Sequence, residues 1–384
     1  MEASRRLLLR ALGAGALAPA FLTACTQASR ASKPRIARAP YVDGLSFLPE
    51  DINDIPAAKL DACICDISAI EEVTQADGTV NYKRTYRACM ASIEAARARV
   101  ARHTELLRLG LAGRDIELAA AEGKTALFFQ IQGADCVEER LEQVDAFYEK
   151  GLRVLQLTHH YGNTYAGGAL DNDARGGLNQ PLTKRGHALI EKLNAMGVLI
   201  DLSHASARSA SDAITASSRP VVLSHGAARA IVNHARCSPD AVIRQLADSG
   251  GVFGVFMMSF WLTQDPIPET AHYVAQLRHV ANVGGIDAVA VANDFPMAGQ
   301  ENLVKLNNDN REGVKEYLAW WHSLRAKNVL GFDVEPAHVV IPELNHIDRM
   351  SRIHDAISSA GFSASESDKI MGENWARVLK QVLT

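Results

Sequence analysis

Residues 197–226 read GVLIDLSHASARSASDAITASSRPVVLSHG. An apolar run rich in branched side chains (197–202) gives way to an amphipathic stretch (207–217), and a second apolar run follows (219–223). Neither run alternates apolar with polar residues, as a half-buried strand would. Continuous apolar strands belong to a parallel sheet covered on both faces. Each run leads into Ser-His, at Ser203-His204 and at Ser224-His225. The segment therefore reads as a strand, a crossover helix and a parallel strand, with a histidine at each strand's carboxyl end.

Similar units extend outward in both directions. Further strands are predicted at 42–47, 61–67, 125–131, 153–158, 251–257 and 286–292, separated by amphipathic stretches at 85–109, 137–150, 182–195, 239–249 and 269–283. Eight strand–helix units in one chain predict an α/β fold, a single (β/α)8 TIM-like barrel over 41–384, rather than two domains. The run at 61–67 reads either as a barrel strand or as a side strand. A C-terminal helical extension, 366–383, is expected to pack on the barrel.

Composition agrees with one folded body. The 384 residues are 47% hydrophobic and 22% charged, which excludes a disordered chain and a multi-spanning membrane protein. Forty Lys and Arg against 44 Asp and Glu leave no basic surplus, so no nucleic-acid partner is expected. Six cysteines are too few for a disulfide-built scaffold.

The N-terminus reads as an address rather than as fold. Arg5-Arg6 is a twin-arginine pair, Ala11–Leu22 is apolar but shorter than the ~20 residues that span a bilayer, and Leu22-Thr23-Ala24-Cys25 looks like a lipoprotein processing box. Residues 1–24 are expected to be a twin-arginine signal peptide. Cys25 is then the lipidated residue, and 25–40 the tether of a periplasmic, membrane-anchored protein. Five cysteines remain in that oxidising compartment, so at least one is expected to stay unpaired.

In a (β/α)8 barrel the chemistry lies where the strands end. Those ends carry Gln132, Thr158-His159-His160, Asp201-Leu202-Ser203-His204, Ser224-His225 and Asn293-Asp294. His159, His204, His225 and Asp294 are expected to converge on one mouth, as in a metal-dependent hydrolase where imidazoles and carboxylates hold a cation. His160, His187 and His234 each read as a hydrogen-bonded residue without a role at the site. Asp201, inside its strand, reads as structural.

Several motifs in order resemble the membrane dipeptidases, the renal-dipeptidase-like zinc peptidases: VDGLSFLP at 42–49, QIQG at 130–133, FYEKGLRVLQLTHHYGN at 147–163, DLSHAS at 201–206, PVVLSHGAAR at 220–229, HARCSPD at 234–240, VANDF at 291–295 and GENWARVL at 372–379. The resemblance implies the barrel already read from the strands, and a peptide ligand. It also implies five zinc-ligand positions, of which this chain keeps two, His204 and His225. The family's Asp-Gly-His-x-Asp is matched by Asp43-Gly44-Leu45-Ser46-Phe47, so Leu45 and Phe47 stand at two ligand positions, and Gln132 stands at the bridging Glu. Both carboxylates are thus lost, and two neutral imidazoles make a poor zinc site. By the same resemblance His159 bears on the scissile carbonyl, Arg236 on the peptide carboxylate and Asp294 on the amino end, while Leu45 and Phe47 would floor the pocket.

The expectation is a dipeptidase-family protein with a degraded zinc site and no resident cofactor. It would bind a peptide or hand it to a periplasmic modifying enzyme without hydrolysing it, as in a zinc-less subfamily associated with maturation of peptide siderophores such as pyoverdine. One alternative is an active metallodipeptidase with at most one zinc at His204 and His225, and another is a structural envelope protein with a vestigial pocket. The family is commonly dimeric, so a homodimer is also implied.

Overall fold

The computed structural model describes residues 38–384 apart from 79, 174–175, 301–310, 328–331 and 333–334. The expected signal peptide, Cys25 and the tether as far as residue 37 lie outside the described residues. The described residues form one compact unit.

Eight parallel strands run in the order β1 (Val42–Phe47), β2 (Ala62–Asp66), β6 (Thr125–Gln132), β7 (Leu152–Gln156), β8 (Leu199–Asp201), β9 (Val222–Gly226), β10 (Val252–Val255) and β11 (Val289–Val291). The run at 61–67 is a barrel strand, paired continuously with β6 and, across one register shift between Asp43 and Ser46, with β1, and buried from Ala62 to Cys65. The barrel is nearly closed. Asn293 donates through its backbone N–H to Asp43 and the Asp294 N–H donates to the Leu45 carbonyl, both at 2.9 Å, tying the end of β11 to β1.

The crossover helices fall close to the predicted stretches: α5 (Lys184–Met196), α6 (Ala207–Ala216), α7 (Asp240–Asp248) and α8 (Thr270–Gly284). Thr183 and Ser206 cap α5 and α6 by accepting from the third residue onward, which satisfies an otherwise open N–H. The predicted 85–109 helix stops early. It is α2 (Tyr86–Arg102), after which β5 (Leu107–Leu109) pairs with the start of β6 as an added strand. The predicted 137–150 stretch is helical only over α4 (Gln143–Glu149). Elements not anticipated are the short helices α1 (Asp54–Ala58) and α3 (Asp115–Ala121), an antiparallel hairpin β3 (Glu71–Thr74) and β4 (Val80–Lys83), and the helices α9 (Arg311–Ala326) and α10 (Arg349–Ser359). No helix of the described residues is long and apolar enough to cross a membrane.

Alternation along the strands separates two cores. Residues such as Cys63, Leu127, Phe129, Leu155 and Ile200 pack outward under the helices. Val42, Ala62, Ile64, Ala126, Phe128, Val154, Leu199, Val222, Val252 and Ala290 pack together with the final helix. The predicted 366–383 helix is in fact α11 (Ala364–Asp368), a π turn over Lys369–Glu373 and α12 (Asn374–Val382). Because the partners of α12 are the first residues of the strands, it closes the amino-terminal end of the barrel. Its Trp375 is fully buried and donates from Nε1 to the Val291 carbonyl at 2.8 Å. Gly44 and Gly254 make room for it: a Cβ on either would lie within 3 Å of both the Trp375 ring and the Ser224 carbonyl. Cys63, Cys65, Cys89, Cys136 and Cys237 are all buried unpaired thiols.

Candidate functional site

With one end of the barrel sealed by α12, the polar strand ends collect at the other. His159 and His160 follow β7, His204 lies three residues past β8, His225 is within β9, and Asp294 lies three residues past β11. His204 and Asp294 hold left-handed backbone, φ 65° and 56°. That region costs a side-chain-bearing residue on the order of 1 kcal/mol or more, and such strain gathers where a side chain must be placed for function.

Asp201 anchors the base of the mouth. Its buried carboxylate accepts the backbone N–H and hydroxyl of both Ser203 and Ser224, at 2.6 to 2.9 Å, and the amide of Gln130 at 2.5 Å. The Ser224 hydroxyl proton is committed to Asp201, so its oxygen accepts from His225 Nδ1 at 2.8 Å. That bond places the His225 hydrogen on Nδ1 and leaves a lone pair on Nε2. His204 Nε2, 2.8 Å away, is then the donor, and His204 Nδ1 accepts from His160 Nδ1 at 3.1 Å. The result is one directed chain, His160 to His204 to His225 to Ser224 to Asp201, which requires His204 and His225, each donor and acceptor at once, to be neutral. Burial, reinforced by the positive Arg236, holds His160, His204 and His225 well below the usual histidine range. His159 is held down in the same way, by burial first and then by Arg84, and its ring stacks on His204 at 4.4 Å.

His159, His204 and His225 thus come together as expected, and His160 belongs with them. Reading His160 as a bystander was wrong, because the turn after β7 carries both adjacent histidines into the mouth. His187 remains away from the mouth on α5, and His234 backs Trp261 at 5.8 Å. A cavity of about 750 Å³ opens over the cluster, lined among others by Phe47, Asp66, Gln132, His159, His160, His204 and Asp294. No hydrogen bond reaches the Asp294 carboxylate among the described residues, and burial pushes it up to about 7 against the pull of Arg236. Arg236 does not line this cavity. It is 3% exposed, donates to the His225 carbonyl at 3.1 Å, lies 5.2 Å and 5.4 Å from the ring centres of Phe256 and Trp261, and is lowered by burial to about 10. Its Nε is buried without a partner.

The positions matched to zinc ligands are occupied as follows. Leu45 is fully buried and does not line the cavity, so the expected floor consists of Phe47 alone. Gln132 donates to Asp66 at 2.8 Å, while the other Asp66 oxygen takes the N–H and hydroxyl of Ser68 at 2.9 and 2.6 Å. Asp66, a carboxylate overlooked in the sequence, is therefore engaged through both oxygens. The matched positions do not fit a two-zinc centre, since Leu45 and Phe47 offer no lone pair and Gln132 no charge; beside them the mouth offers imidazoles, the engaged Asp66 and Asp294. The mouth does provide a set for a single cation, since ligand atoms of His159, His160 and His204 lie within 4.8 Å of one another. The sequence also hid a row of aromatics on α9, Tyr317, Trp320 and Trp321, that lines the cavity together with Trp261. Their i, i+3, i+4 spacing with Leu324 at i+7 was the available signal.

The model of the membrane dipeptidase family (peptidase family M19) matches residues 63–312. The dipeptidase tcpJ of Claviceps purpurea (strain 20.1) is 27% identical over 272 residues, 70% of this chain and 53% of that protein. The chain spans about half the length of the curated relatives it matches. Among solved structures, an amidohydrolase from Pseudomonas aeruginosa superposes with a TM-score of 0.73 at 22% identity, covering 90% of this chain and 96% of that one. The probable dipeptidase PvdM from Pseudomonas aeruginosa gives 0.70 at 16% identity, with the same coverage of 90% and 96%. At these identities the structures establish the barrel alone. The chain belongs to the membrane dipeptidase family.

Proposed function

We propose that this chain binds a peptide or peptide-derived compound at the carboxyl-end mouth of its barrel and hands it on without hydrolysing it by a two-metal route. The observation that carries this reading is the fate of the carboxylate positions: Leu45 is sealed in the core, Phe47 faces the cavity, and the Gln132 amide is tied to Asp66. Water activation in a two-metal site needs a carboxylate bridge to hold the ions and orient the attacking oxygen. What the mouth does offer suits recognition. Asp294 has no hydrogen bond to its carboxylate among the described residues and can pair with an amine, and a neutral His159, its Nδ1 buried without a partner, can bond a peptide group. Arg236 acts from behind: it supports the His225 backbone and adds positive potential without touching the ligand.

Export through the twin-arginine route, lipidation at Cys25 and a periplasmic location complete the proposal, with a peptide-siderophore intermediate as the ligand class. A second reading is a single-metal dipeptidase, favoured by the His159, His160 and His204 set. A cation held there would polarise a peptide carbonyl. Elemental analysis of the purified chain beside a dipeptide hydrolysis assay separates the two. The binding reading expects saturable peptide binding with no turnover and sub-stoichiometric zinc. Stoichiometric zinc, together with hydrolysis that disappears in His204→Ala, establishes the single-metal reading instead.

A further inference from the structure

A second cavity, of about 620 Å³, adjoins the mouth, and Leu170, Leu178, Val232 and Pro336 are among its apolar lining. Four residues, Tyr161, Phe260, Trp261 and Trp321, line both cavities and so form a common wall. The wall is built to hold its shape. Trp261 stacks on Phe256 with ring centres 5.5 Å apart and planes 7° apart, and packs on Phe260 at 4.4 Å. Trp321 is braced by Phe332 at 4.6 Å and Tyr317 at 5.8 Å.

We propose that the two cavities are one extended site for a peptide-derived ligand longer than a dipeptide, carrying a planar aromatic group that seats on the shared wall. The inference rests on the peptide-binding reading above and adds the length and chemistry of the ligand. Two features lead to it. First, a dipeptide placed beside Asp294 and His159 would leave the face of α9 and the whole second cavity to water. An aromatic helix face of this kind ordinarily buries itself in a core; here Trp321 is buried but Trp320 stays 49% exposed beside the cavity, a surface that suits something apolar and flat. Second, two buried donors lack acceptors: Trp321 Nε1 on the shared wall and Arg84 Nε beside the mouth. Buried donors seek partners, and peptide carbonyls strung along one ligand would supply them at separated points.

The test is calorimetric titration of the full chain with three probes: Ala-Ala, Ala-Ala-Ala-Ala and Ala-Trp-Ala-Ala. The expected result is that the Trp tetrapeptide binds at least tenfold more tightly than either of the others. Ala337→Trp, on the exposed rim of the second cavity, is expected to weaken the Trp tetrapeptide about tenfold and leave Ala-Ala unchanged. Circular dichroism confirms that the variant is folded. Equal affinity for Ala-Ala and the Trp tetrapeptide, or no effect of Ala337→Trp, overturns the extended site and leaves peptide binding standing. Equal affinity of the two tetrapeptides overturns the aromatic requirement. If none of the three binds, the peptide-binding reading itself falls.

Discussion

The two ends of this barrel are built on opposite principles. At the amino-terminal end, α12 inserts Trp375, Val378, Leu379 and Val382 among the first residues of the strands, and the Trp375 N–H and Asn374 amide find backbone carbonyls at 2.8 Å. At the carboxyl-terminal mouth, buried polar atoms are left without partners on Arg84, Thr158, His159 and Arg236, two residues hold left-handed backbone, and carboxylates and histidines are pushed toward their neutral forms. The closed end is matched to itself apart from Arg377 of α12, whose Nε is buried without a partner. The open end is matched to something it would bind, and stability concentrates away from chemistry.

That contrast can be tested, starting with its largest expected effect. Trp375→Ala should lower unfolding stability by about 3–5 kcal/mol, the cost of deleting a fully buried large aromatic, read from denaturant titration. A loss below about 1 kcal/mol would mean that the plug is not what closes the barrel. Asp201→Ala should cost about 1–3 kcal/mol, since it leaves buried serine and glutamine donors unsatisfied. It should also release the Ser224 hydroxyl to donate to His225, so nitrogen NMR should report the Nδ1–H tautomer in the parent chain and its loss in the variant. An unchanged tautomer would break the directed chain.

The pH responses of the mouth are smaller, and of opposite sign. The folded-state pKa of Asp294 is raised to about 7, so the folded chain takes up this proton before the unfolded chain does. Its contribution to stability is full at low pH and is lost as pH rises through about 7. Asp294→Asn should therefore be no more stable than the parent near pH 4 and more stable by roughly 1–2 kcal/mol at pH 8. His160 is lowered, so the unfolded chain takes its proton first and stability falls as pH drops below the ordinary histidine value. His160→Gln should resist acid unfolding better below about pH 6, with little change at pH 8. Thermal melts across this range test both, and parallel pH profiles for parent and variants would deny the mouth its strained electrostatics.

Much of this was legible in advance, for identifiable reasons. The strand runs at 197–202, 219–223 and 251–257 were readable because a parallel strand buried on both faces is largely continuously apolar. His159, His204 and His225 could be placed because strand ends in a barrel share one mouth. The partial role of Arg236 was not legible: motif matching gives position along the chain, while its burial depends on the rings of Phe256 and Trp261, which come from elsewhere. The split of the final helix at Lys369–Glu373 escaped for a similar reason, since its register answers to the barrel it plugs.

By itself the sequence determined the barrel and its family, because apolar periodicity and motif order are written along the chain. Only the tertiary structure decided that Leu45 is sealed away while Phe47 faces the cavity, that Asp66 is engaged by Ser68 and Gln132, and that His160 heads a directed chain of imidazoles. Those are questions of which atoms meet across the mouth. The answer depends on strand ends tens of residues apart, and on the order in which each proton finds its acceptor.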